Sequence, residues 1–300
     1  MQNTYIPELM HWYQSGQLRT IQGHQLFYGL QGEGPVLVLL HGFPSSSWDW
    51  QYLLPMLTPH YRVLYLDMLG FGFSDKPRIG YGIHEQADRV LALMQHLSLK
   101  HAHLLAHDYG DTVAQELLAR QRRGNSPVYW HSCALLNGGL FPEAHHPLKV
   151  QKLLAGPLGP LIVPLLSRKR FERSMMQIWG NTPPSQNTLL GMWQLLNYHN
   201  GTRVMPKLLS YMEQRRLSRA RWVNALSTCP VPLMLIDGTK DPISGESLVT
   251  RFRQLCPNAE LVTLEGVGHY PQLEAPEQVF EAYQEFRARL EQNETVSHWA

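Results

Sequence analysis

The chain predicts an α/β fold in which a mostly parallel, doubly wound sheet is interrupted by one helical insert. Two observations carry that prediction. Short, continuous apolar runs alternate with amphipathic helical stripes over most of the 300 residues, as strands covered on both faces and joined by crossover helices require. Between Asn137 and Pro230 the alternation stops. About ninety residues pass there with helical patterns, prolines and glycines but no strand, which is too long for an ordinary connection and too patterned for a loop.

Taken in order, Leu18 to Gln31 reads as a β-hairpin turning near Gly23. Strands of the parallel sheet follow at Val36 to Leu40, Val63 to Asp67, His103 to His107, Ser132 to Asn137, Pro232 to Asp237 and Glu260 to Leu264. Ile83, Ala87, Val90, Leu91, Met94 and Leu97 form the stripe of one crossover helix, and Val279, Phe280, Tyr283, Phe286 and Leu290 that of another. The expected organisation is a core over residues 1–140, a helical cap over 141–225, and the rest of the core over 226–300. In such a sheet the site lies at the carboxyl ends of the strands.

Composition fits one such unit, with 44% hydrophobic residues available for its core. No run approaches the roughly 20 apolar residues that a membrane-spanning helix needs, and no secretory signal precedes the first charges. A cytoplasmic protein without a transmembrane segment is therefore expected. Cys133, Cys229 and Cys256 are odd in number and lack metal-ligand spacing, so free thiols are expected, with no metal and no cofactor. The basic residues come without a recognised nucleic-acid module, and a small-molecule substrate is the expected partner.

The most informative segment is LLAHDYGDTVAQELL, from Leu104 to Leu118. It reads as a strand, a sharp turn and a helix, with the turn pattern small-x-Asp-x-small: Ala106, His107, Asp108, Tyr109, Gly110. A nucleophile elbow has this form, with an acid here in place of serine. A carboxylate is already ionised at neutral pH and attacks saturated carbon, leaving an ester on the enzyme. The plainer alternative is that Asp108 caps the following helix, a role Asp favours.

Three further segments fall in the order nucleophile, acid, histidine. Upstream, the strand at Val36 to Leu40 ends in His41-Gly42-Phe43-Pro44, a loop of the kind whose NH groups build half of an oxyanion hole. The NH of Phe43 and that of Tyr109 are the expected donors, and His41 is read as a structural histidine bonded to its own loop. Gly238-Thr239-Lys240-Asp241-Pro242 follows a strand and makes Asp241 the candidate acid. Asp237 is its rival, but it sits on the strand end rather than in the loop. Gly266-Val267-Gly268-His269 makes His269 the candidate base.

HGFPSSSWDW, DMLGFGFSDKPR, LLAHDYGDTVAQELL, NGGLFPEAHHP and HYPQLE resemble the mesoderm-specific transcript proteins. These are a branch of the α/β-hydrolases close to epoxide hydrolases and haloalkane dehalogenases. The resemblance runs over almost the whole chain and implies the α/β-hydrolase fold, an Asp nucleophile and a hydrolase without a settled substrate. Asp108, Asp241 and His269 occupy the matching triad positions. The vertebrate relatives begin with a hydrophobic membrane segment, whereas this chain begins MQNTYIPELMHWYQ.

The leaving group depends on the electrophilic helper. LLSYMEQRRLSRARW resembles the cap region from which epoxide hydrolases supply a tyrosine donor, so Tyr211 is the candidate, with simple packing of that ring as the alternative. The usual second tyrosine has no counterpart between Trp130 and Asn197, and Tyr198 is poorly placed. Haloalkane dehalogenases carry Trp after the nucleophile and Asn in the HG-x-P loop, where this chain has Tyr109 and Phe43. The Arg that haloacetate dehalogenases carry after the nucleophile is missing too. Epoxide hydrolysis leads by elimination, with a dehalogenase or a non-catalytic binding module on the same fold as alternatives. From Pro142 to Ala225 there are twelve Lys and Arg against three Glu and no Asp, so that region carries plus nine and the remainder minus seven. Arg215, Arg216 and Arg219 are expected at the mouth of the site, as a solvated face or as an attractor of an anionic substrate or surface.

Overall fold

A computed structural model describes residues 5–297, so residues 1–4 of the opening stretch lie outside the described residues. Its sheet contains β1 (Gln17–Ile21), β2 (His24–Gln31), β3 (Val36–Leu40), β4 (Arg62–Leu66), β5 (His101–His107), β6 (Tyr129–Leu136), β7 (Leu233–Gly238) and β8 (Glu260–Leu264). They lie in the order β1-β2-β4-β3-β5-β6-β7-β8. The hairpin β1-β2 is antiparallel and joins β4 antiparallel; from β4 to β8 every pairing is parallel. Strands β3 and β7 are buried along nearly their whole length, which is why they read as unbroken apolar runs.

Strand ends depart from the apolar pattern for a physical reason. His101 pairs with Tyr129 and Ala102 with Trp130, ahead of the runs that predict β5 and β6. Ladder hydrogen bonds are main-chain bonds and need no apolar side chain, so the strands continue to the exposed Tyr129. β6 stops at Leu136 because Asn137 takes φ +41°, outside the strand region. The apolar run of β8 predicts a strand covered on both faces, but as the edge strand it is mostly half-buried.

The α-helices of seven or more residues are α1 (Pro7–Ser15), α2 (Ile83–His96), α3 (Tyr109–Arg122), α4 (Lys149–Ala155), α5 (Arg168–Met176), α6 (Gln186–Asn197), α7 (Tyr211–Leu217), α8 (Arg219–Ser227), α9 (Glu246–Leu255) and α10 (Pro276–Ser297). The stripe Ile83, Ala87, Val90, Leu91 and Met94 is the buried face of α2. Among the described residues every element between β6 and β7 is helical. The cysteines are free thiols. No helix among the described residues is long and apolar enough to cross a membrane.

The parallel pairings bring the loops that follow β3, β5, β6, β7 and β8 to one edge of the sheet, with the insert against them. The loops that carry the motifs therefore converge although up to 226 residues separate Phe43 from His269.

Candidate active site

Asp108 ends β5 and precedes α3 with φ +45° and ψ −101°, a conformation that L-residues rarely adopt. A tight turn is possible because Gly110 lies so close to β3 that a Cβ there would meet the Leu40 carbonyl oxygen at 2.4 Å. The carboxylate makes no capping hydrogen bond to α3, which removes the helix-cap alternative. Its Oδ2 instead accepts from the Phe43 NH at 3.0 Å. Gly42 lets that loop pass, since a Cβ there would stand 3.1 Å from the Asp108 Cβ and closer still to the His107 ring. The Tyr109 NH is one of the first four helix donors, which have no intrahelical acceptor. His41 binds its own loop, with Nδ1 at 2.8 Å from the Gly42 carbonyl and Nε2 accepting from the Met68 NH.

Behind Asp108, His269 Nδ1 donates to Asp241 Oδ2 at 2.7 Å, with both residues buried. The Asp241 carboxylate is itself held: Asn137 Nδ2 donates to Oδ2 at 3.0 Å and the Ile243 NH to Oδ1 at 2.7 Å. Asn137 also bridges to the Gly238 NH, locking the β6 and β7 loops together. Asp237, the rival acid, is buried with neither carboxylate oxygen hydrogen-bonded, and burial pushes its pKa well up. Glu274 organises the histidine loop by accepting from the NH groups of Gly268, Tyr270 and Gly180. Neither Asn137 nor Glu274 carries a sequence signal for these roles, although Glu274 stands just before the helix start at Pro276.

Burial works against charge on His269, yet the adjacent Asp241 carboxylate and its hydrogen bond, with Asp108 beyond, outweigh it and bring the pKa up to about 9. Burial likewise disfavours the Asp108 carboxylate, but the Arg215 guanidinium, His269, His107 and the Phe43 NH prevail and hold it below the usual range. Both shifts favour the carboxylate form of Asp108 and the protonated form of His269.

The insert contributes two side chains of α7. Tyr211 is fully buried, its ring edge-on to Tyr109 at 5.0 Å and 6.2 Å from the Phe43 ring, and its hydroxyl makes no well-aligned hydrogen bond among the described residues. Burial raises its pKa, so it stays a phenol. Arg215 corrects the charge reading. Rather than standing at the mouth, it is 2% exposed, donating from Nε to Thr112 Oγ1 at 2.7 Å and from Nη2 to the Asp108 carbonyl at 3.0 Å. Nη2 is also 3.5 Å from Asp108 Oδ1, and the guanidinium lies 4.4 Å from the centre of the Tyr211 ring. The signal for it was helical spacing: a residue four positions after an inward tyrosine shares its face. Arg219 pairs with Glu143 and Arg221 with Glu116, so both are tied to acidic partners.

An apolar chamber opens on His269 and Phe43, walled by Leu154, Phe171, Met175 and Met205 of the insert and by Ile243. No group of three His, Cys, Asp or Glu among the described residues has an arrangement that would hold a metal ion.

A family model described as alpha/beta hydrolase fold matches residues 35–276. Over 294 residues the chain is 42% identical to the mesoderm-specific transcript homolog protein of Bos taurus, spanning 93% of this chain and 88% of that protein. In structure it is similar to the haloalkane dehalogenase DbeA from Bradyrhizobium elkani USDA94, with a TM-score of 0.79 at 21% identity over 93% of this chain and 99% of that one. The epoxide hydrolase CorEH is similar at a TM-score of 0.75 and 22% identity, over 92% and 99% of the two chains. The last two likenesses show the fold, and the resemblance read from the motifs holds across nearly the full length.

Proposed function

We propose that this chain, which belongs to the α/β-hydrolase fold family, hydrolyses an epoxide through an alkyl ester on Asp108. One observation carries the reading: a buried phenol, Tyr211, packs against the same Arg215 guanidinium that reaches the Asp108 carboxylate, and that carboxylate is turned away from its helix and onto the Phe43 NH. A halide needs no proton when it leaves, whereas an epoxide oxygen does.

Asp108 Oδ1 attacks the epoxide carbon, the carbon–oxygen bond breaks, and Tyr211 gives its proton to the oxygen. Oδ2 becomes the ester carbonyl oxygen, still facing the Phe43 NH. Alkylation consumes the Asp108 charge that helps to keep His269 protonated. The imidazolium then gives up its proton, making good the one lost by Tyr211, and His269 becomes a base. Neutral His269 takes a proton from water, and the resulting hydroxide attacks the ester carbonyl. The oxyanion forms on Oδ2, where the Phe43 and Tyr109 NH groups are the donors. Collapse expels the diol oxygen, which takes the proton of the regenerated Asp108 acid, and His269 keeps the proton from water as in the resting state. Asp241 orients the ring and stabilises its charge. The insert acts as the cap in this scheme.

Mass spectrometry of the His269→Gln protein after incubation with epoxides, haloalkanes and haloacids tests the reading. An adduct on Asp108 with an epoxide, absent in Asp108→Ala, is the expected result. In the wild type, a single turnover in heavy-oxygen water should leave label in the Asp108 carboxylate. An adduct elsewhere on the chain rejects Asp108 as nucleophile, and an adduct with halides alone replaces epoxide hydrolysis with dehalogenation.

A further inference from the structure

The insert has an outer face that the chemistry at Asp108 does not use. Leu154 of α4 and the partly buried Val150 look into the apolar chamber, but Leu153 of the same helix is 50% exposed. Beyond α4 the chain makes two short helical turns, Gly159–Ile162 and Val163–Leu165. These leave Leu158, Leu161 and Leu165 exposed at 56%, 72% and 61%, with Pro157, Pro160 and Pro164 exposed between them. Gly159 folds the first turn back onto α4 so closely that a Cβ there would meet the Leu154 carbonyl oxygen at 2.0 Å. The exposed leucines are thus concentrated in residues 153–165 around one tight fold-back of the chain, and apolar exposure concentrated in this way marks an interaction site.

Cations border it. Residues 149–173 hold six Lys and Arg against one Glu, and Lys149, Lys152, Arg168, Lys169, Arg170 and Arg173 are all exposed. Ser167 caps α5 and starts the basic run, and Arg170 donates to the Leu165 carbonyl at 2.7 Å, which fixes a cation at the rim of the leucine surface. Protein interfaces are anchored by tryptophan, tyrosine and arginine at their centre. Here the centre is leucine and proline, with charge of one sign around it. Aliphatic side chains inside a basic border match the acyl layer and the anionic headgroups of a bilayer, which attract the two parts of the face by separate forces.

We propose that residues 149–173 dock the protein on a bilayer that carries anionic lipid. The inner sides of the same elements, at Leu154, Leu166 and Phe171, wall the chamber, so an apolar substrate dissolved in the lipid would have a short path to Asp108. That last clause rests on the proposed chemistry; docking itself does not.

Flotation of the full chain with phosphatidylcholine vesicles, with and without about 30% phosphatidylserine, is the test. Wild type should bind the mixed vesicles about tenfold or more tightly than the neutral ones, and added salt should weaken that binding. Leu158→Ser, Leu161→Ser and Leu165→Ser together should lose about tenfold or more of it without lowering the unfolding temperature, since these side chains make no core. Arg168→Gln, Lys169→Gln and Arg173→Gln should remove the preference for phosphatidylserine. Failure of the wild type to bind either vesicle, or unchanged binding by the leucine variant, overturns the proposal. So does a wild-type dimer in sedimentation that Leu161→Asp makes monomeric, because a second copy would then cover the face. Asp108→Ala should float like the wild type, which separates this outcome from that of the adduct experiment.

Discussion

The two ends of the insert are held in opposite ways. Across residues 149–176 the side-chain hydrogen bonds among the described residues stay local, as in Gln151 with the Leu148 NH, Arg168 with Glu172 and Arg170 with Leu165. Across α7 and α8 they reach the core. Gln214 bonds to the main chain of Tyr81 and Ile83, Arg215 to Thr112 and Asp108, and Arg221 and Trp222 to Glu116 of α3. Burial opposes charge on Glu116, but these donors, with Arg120, hold its pKa down to about 2. The second end is thus fastened to the helix that follows Asp108 and supplies the polar groups near the reacting atoms. The first end covers the chamber with apolar side chains and presents its remaining leucines outward. One insert can combine a fixed electrostatic element with a surface because the two jobs fall on different helices.

If the fastened end is part of the chemistry, the largest loss should follow from Arg215→Met. Ester formation, read in single turnovers with the epoxide found by the adduct experiment, should slow by about a thousandfold. Asp108 would lose the nearest cation that keeps it ionised, so the acid limb of its pH profile should move to higher pH. Lys at this position should not restore the rate, since a point charge cannot span Thr112 and the Asp108 carbonyl together. A rate within threefold of wild type, on the order of experimental scatter, would return Arg215 to packing.

Tyr211→Phe should come next, with alkylation by an epoxide slowed about a hundredfold and ester hydrolysis nearly unchanged. A halide substrate should respond far less, because its leaving group takes no proton. Equal sensitivity of both substrates would mean that the change disturbs the packing around Tyr211 rather than removing a donor to the leaving oxygen.

The smallest effect is expected from Arg216→Gln with Arg219→Gln. Arg216 is exposed beside Glu213, and Arg219 is largely solvated beside Glu143, so screening leaves these pairs little influence. Catalytic efficiency at varied salt should change less than about twofold for charged and neutral substrates alike. A marked loss confined to an anionic substrate would show that the outer charges, not Arg215 alone, act on the site.

Much of the fold and of the candidate site is legible along the chain because the relevant patterns are local. Strands buried on two faces must be apolar without a break, and each of Phe43, Asp108, Asp241 and His269 lies within five residues of a strand end, where a doubly wound sheet places its functional loops. The strand ends were less legible, since main-chain pairing at His101 and Tyr129 leaves no apolar trace.

Apolar runs, helical stripes and turn motifs read along the chain are enough for the sheet, the helical insert and the loops that meet at the carboxyl edge. Packing across the chain adds what no local pattern carries: Asn137 grips Asp241, and Arg215 turns inward while Arg216 stays in water. Composition counts both arginines as the same surface charge. Their difference comes from how α7 is rotated as it docks, which brings Arg215 to an oxygen 107 positions away, just as Arg221 meets Glu116 across 105. A charge pattern records the sign of each residue; its partner is chosen by packing between helices far apart in the chain.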